Sequence, residues 1–159
     1  MAPDLARELQ MQRPFESAEL EAFLNLVRTS DQLQSDFSEL FRPYGLTMQQ
    51  YNVLRILRGE AKPMPCLEVA DRMIQVVPAI TGLIDRLEKQ ELVSRERCTE
   101  DRRIVYIEIT KKALTLLKKM DEPVNELHKR LVGHLTRAEL RELSRLLEKA
   151  RTSLQGSDE

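Results

Sequence analysis

Residues 66–109 read CLEVADRMIQVVPAITGLIDRLEKQELVSRERCTEDRRIVYIEI, and the hydrophobic period changes twice within them. Leu67, Val69, Ala70 and Met73 mark a short helix over 66–73. After the Gln75-Val76-Val77 joint, Pro78 falls where the first turn of a helix tolerates it, because no N–H is required there. Ile80, Leu83, Ile84 and Leu87 then follow at i, i+3, i+4 and i+7, an apolar stripe along one helix face. The other face carries Gln75, Pro78, Thr81, Gly82, Asp85, Arg86 and Lys89. A helix, a short joint and an amphipathic helix predict a helix-turn-helix. The period then falls to two: residues 92–95 are a short extended run and residues 104–109 a β-branched one. The polar stretch 98–103 lies between them. Two strands joined by a charged loop directly behind a helix-turn-helix predict a β-wing.

On the N-terminal side, residues 1–14 are polar, with Pro3 and Pro14, and read as a tail or entry segment. Leu20, Phe23, Leu24, Val27, Leu33, Phe37, Leu40 and Phe41 recur at helical spacing, one long helix stopped by Pro43-Tyr44-Gly45. Thr47 is an N-cap for the next helix, which buries Tyr51, Leu54, Ile56 and Leu57 before Gly59; Pro63 and Pro65 mark a loop. On the C-terminal side, Thr110 caps a long helix through Leu114, Leu117 and Met120, bent or broken at Pro123. Thr136 and Glu139 form a capping box for the last helix, with Leu140, Leu143, Leu146 and Leu147 at core spacing.

The chain has 159 residues, a length that predicts one domain. Five Gly and 4% aromatics leave little material for an all-β fold, so a mostly helical protein is expected. Its 25 basic and 26 acidic residues give a net charge of −1, which excludes a polybasic coat for nucleic acid. Cys66 and Cys98 are too few for a disulfide framework, and a chain of this size builds a core without one. Asp4, Arg7, Glu8, Arg13, Glu16 and Glu19 leave no apolar leader core near the start. No apolar run approaches the ~20 residues that cross a bilayer, and a cytoplasmic chain without membrane contact is expected. His128 and His134 with two distant Cys offer no metal-ligand spacing, and no metal or cofactor is expected. No nucleophile–base pair or phosphate loop stands out, so an enzyme is the least favoured class.

Asp85-Arg86-Leu87-Glu88-Lys89, Leu92-Val93, Asp101-Arg102-Arg103 and Ile109-Thr110, in this order and spacing, closely resemble the core signature of the MarR family of winged-helix transcriptional regulators. The resemblance extends over roughly 15–154. It implies a mainly α fold with a small β-wing: a winged helix-turn-helix lobe over about 47–110, flanked by long dimerisation helices over 15–42 and 110–154. It further implies an obligate homodimer on double-stranded DNA at a pseudo-palindromic operator, with a recognition helix in each major groove and a wing in each adjacent minor groove. A repressor responsive to a small aromatic or phenolic effector is the function it implies. The alternative is a helical interaction or scaffold protein of the same fold that has lost sequence-specific binding.

Carried over by position, Arg86 matches the family arginine near the end of the recognition helix and Thr81 a frequent base- or phosphate-facing position. Arg103 would enter the minor groove, whose narrow, negative floor attracts guanidinium. Asp101 would fix it by hydrogen bonding, with Arg102 and Arg95 nearby. Gln75 can reach adenine, and Val77 or Ala79 a thymine methyl. Arg86 either contacts phosphate or pairs with Glu88 or Glu91. The sequence departs from the family at Gly82, where many relatives carry Arg or Ser. It departs also at Ala79, at Glu91, which replaces a helix-ending Gly, and at Ala113, which replaces another Gly. Gly82 either admits a close backbone approach to DNA or has no role there.

Residues 63–110 hold seven basic and nine acidic residues, a net −2, with four of the basic ones between 95 and 103. Binding therefore rests on a few placed contacts rather than a broad field. Phe37, Phe41, Tyr44, Met48 and Tyr51 are the effector-pocket candidates, although core packing explains them equally well. Cys66, at a helix start that can lower a thiol pKa, and Cys98, in the wing, are either redox-active or inert.

Overall fold

The structure, a computed structural model, describes residues 4–154. Seven helices and three strands alternate along them. α1 (Leu5–Glu8) precedes α2 (Ala18–Phe41), a 3₁₀ turn (Arg42–Tyr44) and α3 (Met48–Glu60). β1 (Met64–Pro65), α4 (Cys66–Asp71), α5 (Ile80–Lys89), β2 (Val93–Arg97) and β3 (Val105–Ile109) form the middle, and α6 (Lys111–Val132) and α7 (Arg137–Thr152) the end. The chain divides into two compact units, Met1–Leu117 and Lys118–Glu159. The mainly α fold with a small β-wing is as predicted.

Caps set the helix boundaries. Ser17 accepts from the Leu20 N–H at 3.1 Å and starts α2. At α3 the Gln50 N–H donates to Thr47 Oγ1 at 3.2 Å and the Thr47 N–H to Gln50 Oε1 at 2.9 Å, a reciprocal box. Thr136 and Glu139 form the same box at α7. There the Thr136 backbone and hydroxyl bonds hold the Glu139 carboxyl below the usual carboxylate range.

The lobe core gathers one face from each short element. Val53, Leu54, Leu57, Met64, Val69, Leu92, Val93, Ile107 and Ala113 are buried, and with them Ile80, Leu83, Ile84 and Leu87, the α5 stripe predicted as core. β3 lies at the centre of the sheet, in the order β1-β3-β2. Its antiparallel register with β2 runs from Val93 opposite Ile109 to Arg97 opposite Val105, and Met64 faces Ile107 on its other side. Pro63 lies in the expected loop, whereas Met64–Pro65 form an edge strand, where a proline without N–H does no harm.

Other expectations change in detail. The segment read as a tail contains α1, whose Leu5 is buried and whose Glu8 lies 3.9 Å from Arg28 on α2. α4 ends at Asp71 rather than Met73, and its Leu67 is exposed. α5 begins at Ile80, so Pro78 stands in the turn before it. Tyr51 and Ile56 are half-buried, whereas Val53 and the polar Gln50 and Asn52 are buried. α6 passes through Pro123 without a break. Ala113, Leu117, Met120, Val124 and Leu127 form a buried stripe on both sides of the proline, and their burial outweighs a lost hydrogen bond. On α7 no residue is buried, and Leu143 and Leu146 are exposed despite their core spacing. Phe23 on α2 is 61% exposed and Leu20, Leu26 and Val27 are exposed with it. No helix among the described residues is long and apolar enough to cross a membrane.

Candidate nucleic-acid interface

α5 is held from three sides. At its C-terminus the Leu92 N–H returns to the Leu87 carbonyl and the Glu91 N–H to the Glu88 carbonyl, each at 2.9 Å, with Glu91 left-handed at φ 60°. This is a Schellman end, and buried Leu87 and Leu92 are its apolar pair. Thr110 donates its hydroxyl to the Glu91 carbonyl at 2.8 Å and accepts from the Ala113 N–H at 3.2 Å, so one side chain joins the end of α5 to the start of α6. Gln90 reaches the Gly45 carbonyl at 3.1 Å and accepts from Gln50 at 3.3 Å.

Along its side, α5 is clamped by Arg95 of β2. The guanidinium lies 2.5 Å from Asp85 and 3.1 Å from Glu88, and donates to the Thr81 carbonyl at 3.1 Å. Thr81, Asp85 and Glu88 stand at i, i+4 and i+7, one helix face, so a single planar donor fixes helix against strand. Arg95 is therefore bonded within the lobe rather than directed outward.

In the turn before α5, buried Asn52 accepts the Ile74 N–H at 2.9 Å, and the Gln75 amide donates to Gln34 of α2 at 2.9 Å. Gln75, expected at a base edge, thus points inward in this structure. Val77 is half-buried, Ala79 and Thr81 are exposed, and Ala79 caps α5 with no side-chain bond. The first-turn N–H groups of α5 therefore lack a side-chain cap. A Cβ added at Gly82 would meet nothing within 4 Å.

The wing tip is a tight turn. The Cys98 N–H meets the Ile104 carbonyl and the Ile104 N–H the Asp101 carbonyl, each at 3.0 Å. Asp101 Oδ1 accepts the Arg103 backbone N–H at 2.9 Å, so it sets the main chain beneath Arg103 rather than gripping its guanidinium. Arg97, Arg102 and Arg103 are exposed. Of the seven lobe cations, Arg72 is ion-paired with Glu60 and Glu68, and Arg95 with Asp85 and Glu88. Arg86, Lys89, Arg97, Arg102 and Arg103 form no ion pair among the described residues. Five cations, three of them in the wing, remain available to an anionic partner.

Phe41 stacks on Tyr51 with ring centroids 4.4 Å apart and lies 5.7 Å from Phe37 at a tilt. With Phe41 buried, these three candidates make core contacts, and Tyr44 and Met48 are half-buried near them in sequence. Cys66 is half-buried, and burial raises its thiol pKa against the opposing charge of Arg95, the reverse of activation. The burial of Asn52 and the outward direction of Ile74 and Val76 lie outside the sequence expectations above. A polar residue inside an apolar helix face, and the two-residue period ahead of Pro78, are the signals that mark them.

A helix-turn-helix with an uncapped, outward second helix and an arginine-tipped wing defines a winged-helix DNA-binding protein. The MarR family model matches residues 46–105. The chain is 30% identical to the HTH-type transcriptional regulator MgrA of Staphylococcus aureus over 112 residues, 70% of this chain and 74% of that protein. It is 28% identical to the homoprotocatechuate degradative operon repressor of Escherichia coli over 123 residues, 77% of this chain and 82% of that one. Among solved structures, a MarR transcription factor from Planctomyces limnophilus is 45% identical with a TM-score of 0.67, the match covering 85% of this chain and 98% of that one. The chain belongs to the MarR family of transcriptional regulators.

Proposed function

We propose that the chain is a homodimeric repressor of transcription, acting in the cytoplasm without catalysis of its own. It binds a pseudo-palindromic operator with one α5 in each of two major grooves about 34–36 Å apart. The observation that carries this reading is the pairing of an outward α5 with a wing whose Arg97, Arg102 and Arg103 are exposed and without ion pairs among the described residues. The uncapped first turn of α5 offers N–H donors to a phosphate, Arg86 offers a second phosphate contact, and Arg103 enters the minor groove. Exposed Thr81 and Ala79 face the base edges, and Arg95 fixes the Thr81 turn through its carbonyl. The Escherichia coli relative is itself an operon repressor, which supports the sign of regulation.

A dimer accounts for the apolar faces of α2 and α7, which include Phe23, Leu26, Leu143 and Leu146. A small aromatic or phenolic effector acts by favouring a dimer in which the spacing of the two α5 helices is wrong, and it must bind the two spacings with different affinity. Half-buried Phe37, Tyr44, Met48 and Tyr51 are its contact set, buried Phe41 supports Phe37 and Tyr51 from within by ring contact, and Gln34, one turn before Phe37, reaches the recognition turn through Gln75.

Selection of the full chain over random duplex DNA, with non-specific competitor at moderate salt, tests the reading. A two-fold-symmetric enriched motif is the expected result. Uniform weak binding, or none, overturns it in favour of a scaffold that kept the fold.

A further inference from the structure

Between Arg72 and Asp85 lie twelve residues without a charge, in a chain of which 32% are charged. Through the turn the side chains alternate: Met73, Gln75 and Val77 are half-buried, while Ile74, Val76 and Pro78 are exposed. Ile74 is 80% and Val76 92% exposed. The alternation has two fixed causes, Asn52 on the Ile74 N–H and Gln34 on the Gln75 amide. The one side chain of the turn able to grip adenine with two hydrogen bonds is thereby held inward, and the three that face out are apolar. They run without interruption into exposed Ala79 and the uncapped start of α5.

An apolar edge gains nothing from phosphate. In the major groove the matching feature is the C5-methyl group of thymine, which extends from the base edge and is absent from the other three bases. A β-branched methyl pair this exposed loses water on contact with that group, as in any apolar burial. We propose that Val76, flanked by Ile74, is a specificity-determining residue that reads thymine by its methyl group in each operator half-site. This rests on the DNA-binding reading above and names the base chemistry that the turn recognises.

The test uses the full chain and the duplex recovered by the selection just described. Uracil, which lacks only the methyl group, replaces thymine at one symmetric pair of positions at a time. Wild-type binding is expected to weaken by about fourfold per methyl at one such pair, the worth of one buried methyl group. Val76→Ala is expected to bind the thymine and uracil duplexes equally, and Ile74→Ala provides a second variant for the same comparison. Binding indifferent to uracil at every position overturns the proposal while leaving the regulator reading intact. Uracil sensitivity that persists unchanged in Val76→Ala overturns it too, whatever Ile74→Ala shows. Failure of the regulator reading itself appears earlier, as no enriched duplex.

Discussion

Asp101 and Arg103 divide one task between backbone and side chain. The Arg103 N–H is fixed on Asp101 Oδ1, which sets the turn, and the guanidinium remains exposed. Arg103→Ala is expected to weaken operator binding and to reduce the magnitude of the salt slope of log K by about one unit per lost phosphate neutralisation. Fluorescence anisotropy across a salt series measures both, and an unchanged slope would remove the wing arginine from the contact set. Glu91 poses the opposite case, a residue placed against its own preference. Its φ of 60° is costly for any side chain with a Cβ, and its ion pair with Lys112 is exposed at 3.1 Å and worth little. Glu91→Gly is expected to raise unfolding stability by about 1 kcal/mol, read by urea denaturation with an unchanged m-value.

At the scale of elements, α5 owes its position to neighbours more than to its own sequence. Arg95 joins Thr81, Asp85 and Glu88 to β2, and its removal leaves two carboxylates without their partner. Arg95→Ala is expected to lower operator affinity with no change in the salt slope, because its charge meets the helix and not phosphate. That contrast with Arg103 separates a positioning residue from a contact residue in the same titration. Asn52 has the same standing in the turn. It is only 7% exposed and takes the Ile74 N–H, so Asn52→Ala leaves that donor unsatisfied and is expected to cost about 1–3 kcal/mol in thermal or urea unfolding. Gly82→Ala should act in the other direction, adding about 1 kcal/mol through helix propensity where the new methyl meets open space. Loss of operator affinity in this stabilised variant would identify a close approach of the α5 backbone to DNA.

For the whole molecule, a net charge of −1 places the weight of DNA binding on a small set of cations. Two of the seven in the lobe are ion-paired within it, so a dimer relies on the remaining five from each chain. Assembly is therefore part of the binding site. The exposed Leu20, Phe23, Leu26 and Val27 of α2 form an apolar face. Phe23→Glu is expected to shift sedimentation from twice the 18.5-kDa chain mass to the chain mass, with loss of tight operator binding and retained helicity. A dimer that survives this substitution would place its interface elsewhere.

The stripe Ile80, Leu83, Ile84 and Leu87, the strands on each side of the wing and the capping pairs at Thr47 and Thr136 were legible because each depends on local periodicity or on neighbours three residues away. Those signals determine the winged-helix fold, and residues 85–89, 92–93, 101–103 and 109–110 together carry its family resemblance. Tertiary structure decided what depends on distant partners. The strand at Met64 exists because β3 pairs with it, forty-three residues on. α6 continues past Pro123 because a buried stripe runs on both sides of the proline. Gln75 turns inward because Gln34, forty-one residues earlier, accepts its amide, and that leaves Val76 outward. A side chain's chemistry is local, but its direction is set by whichever partner the fold brings within reach.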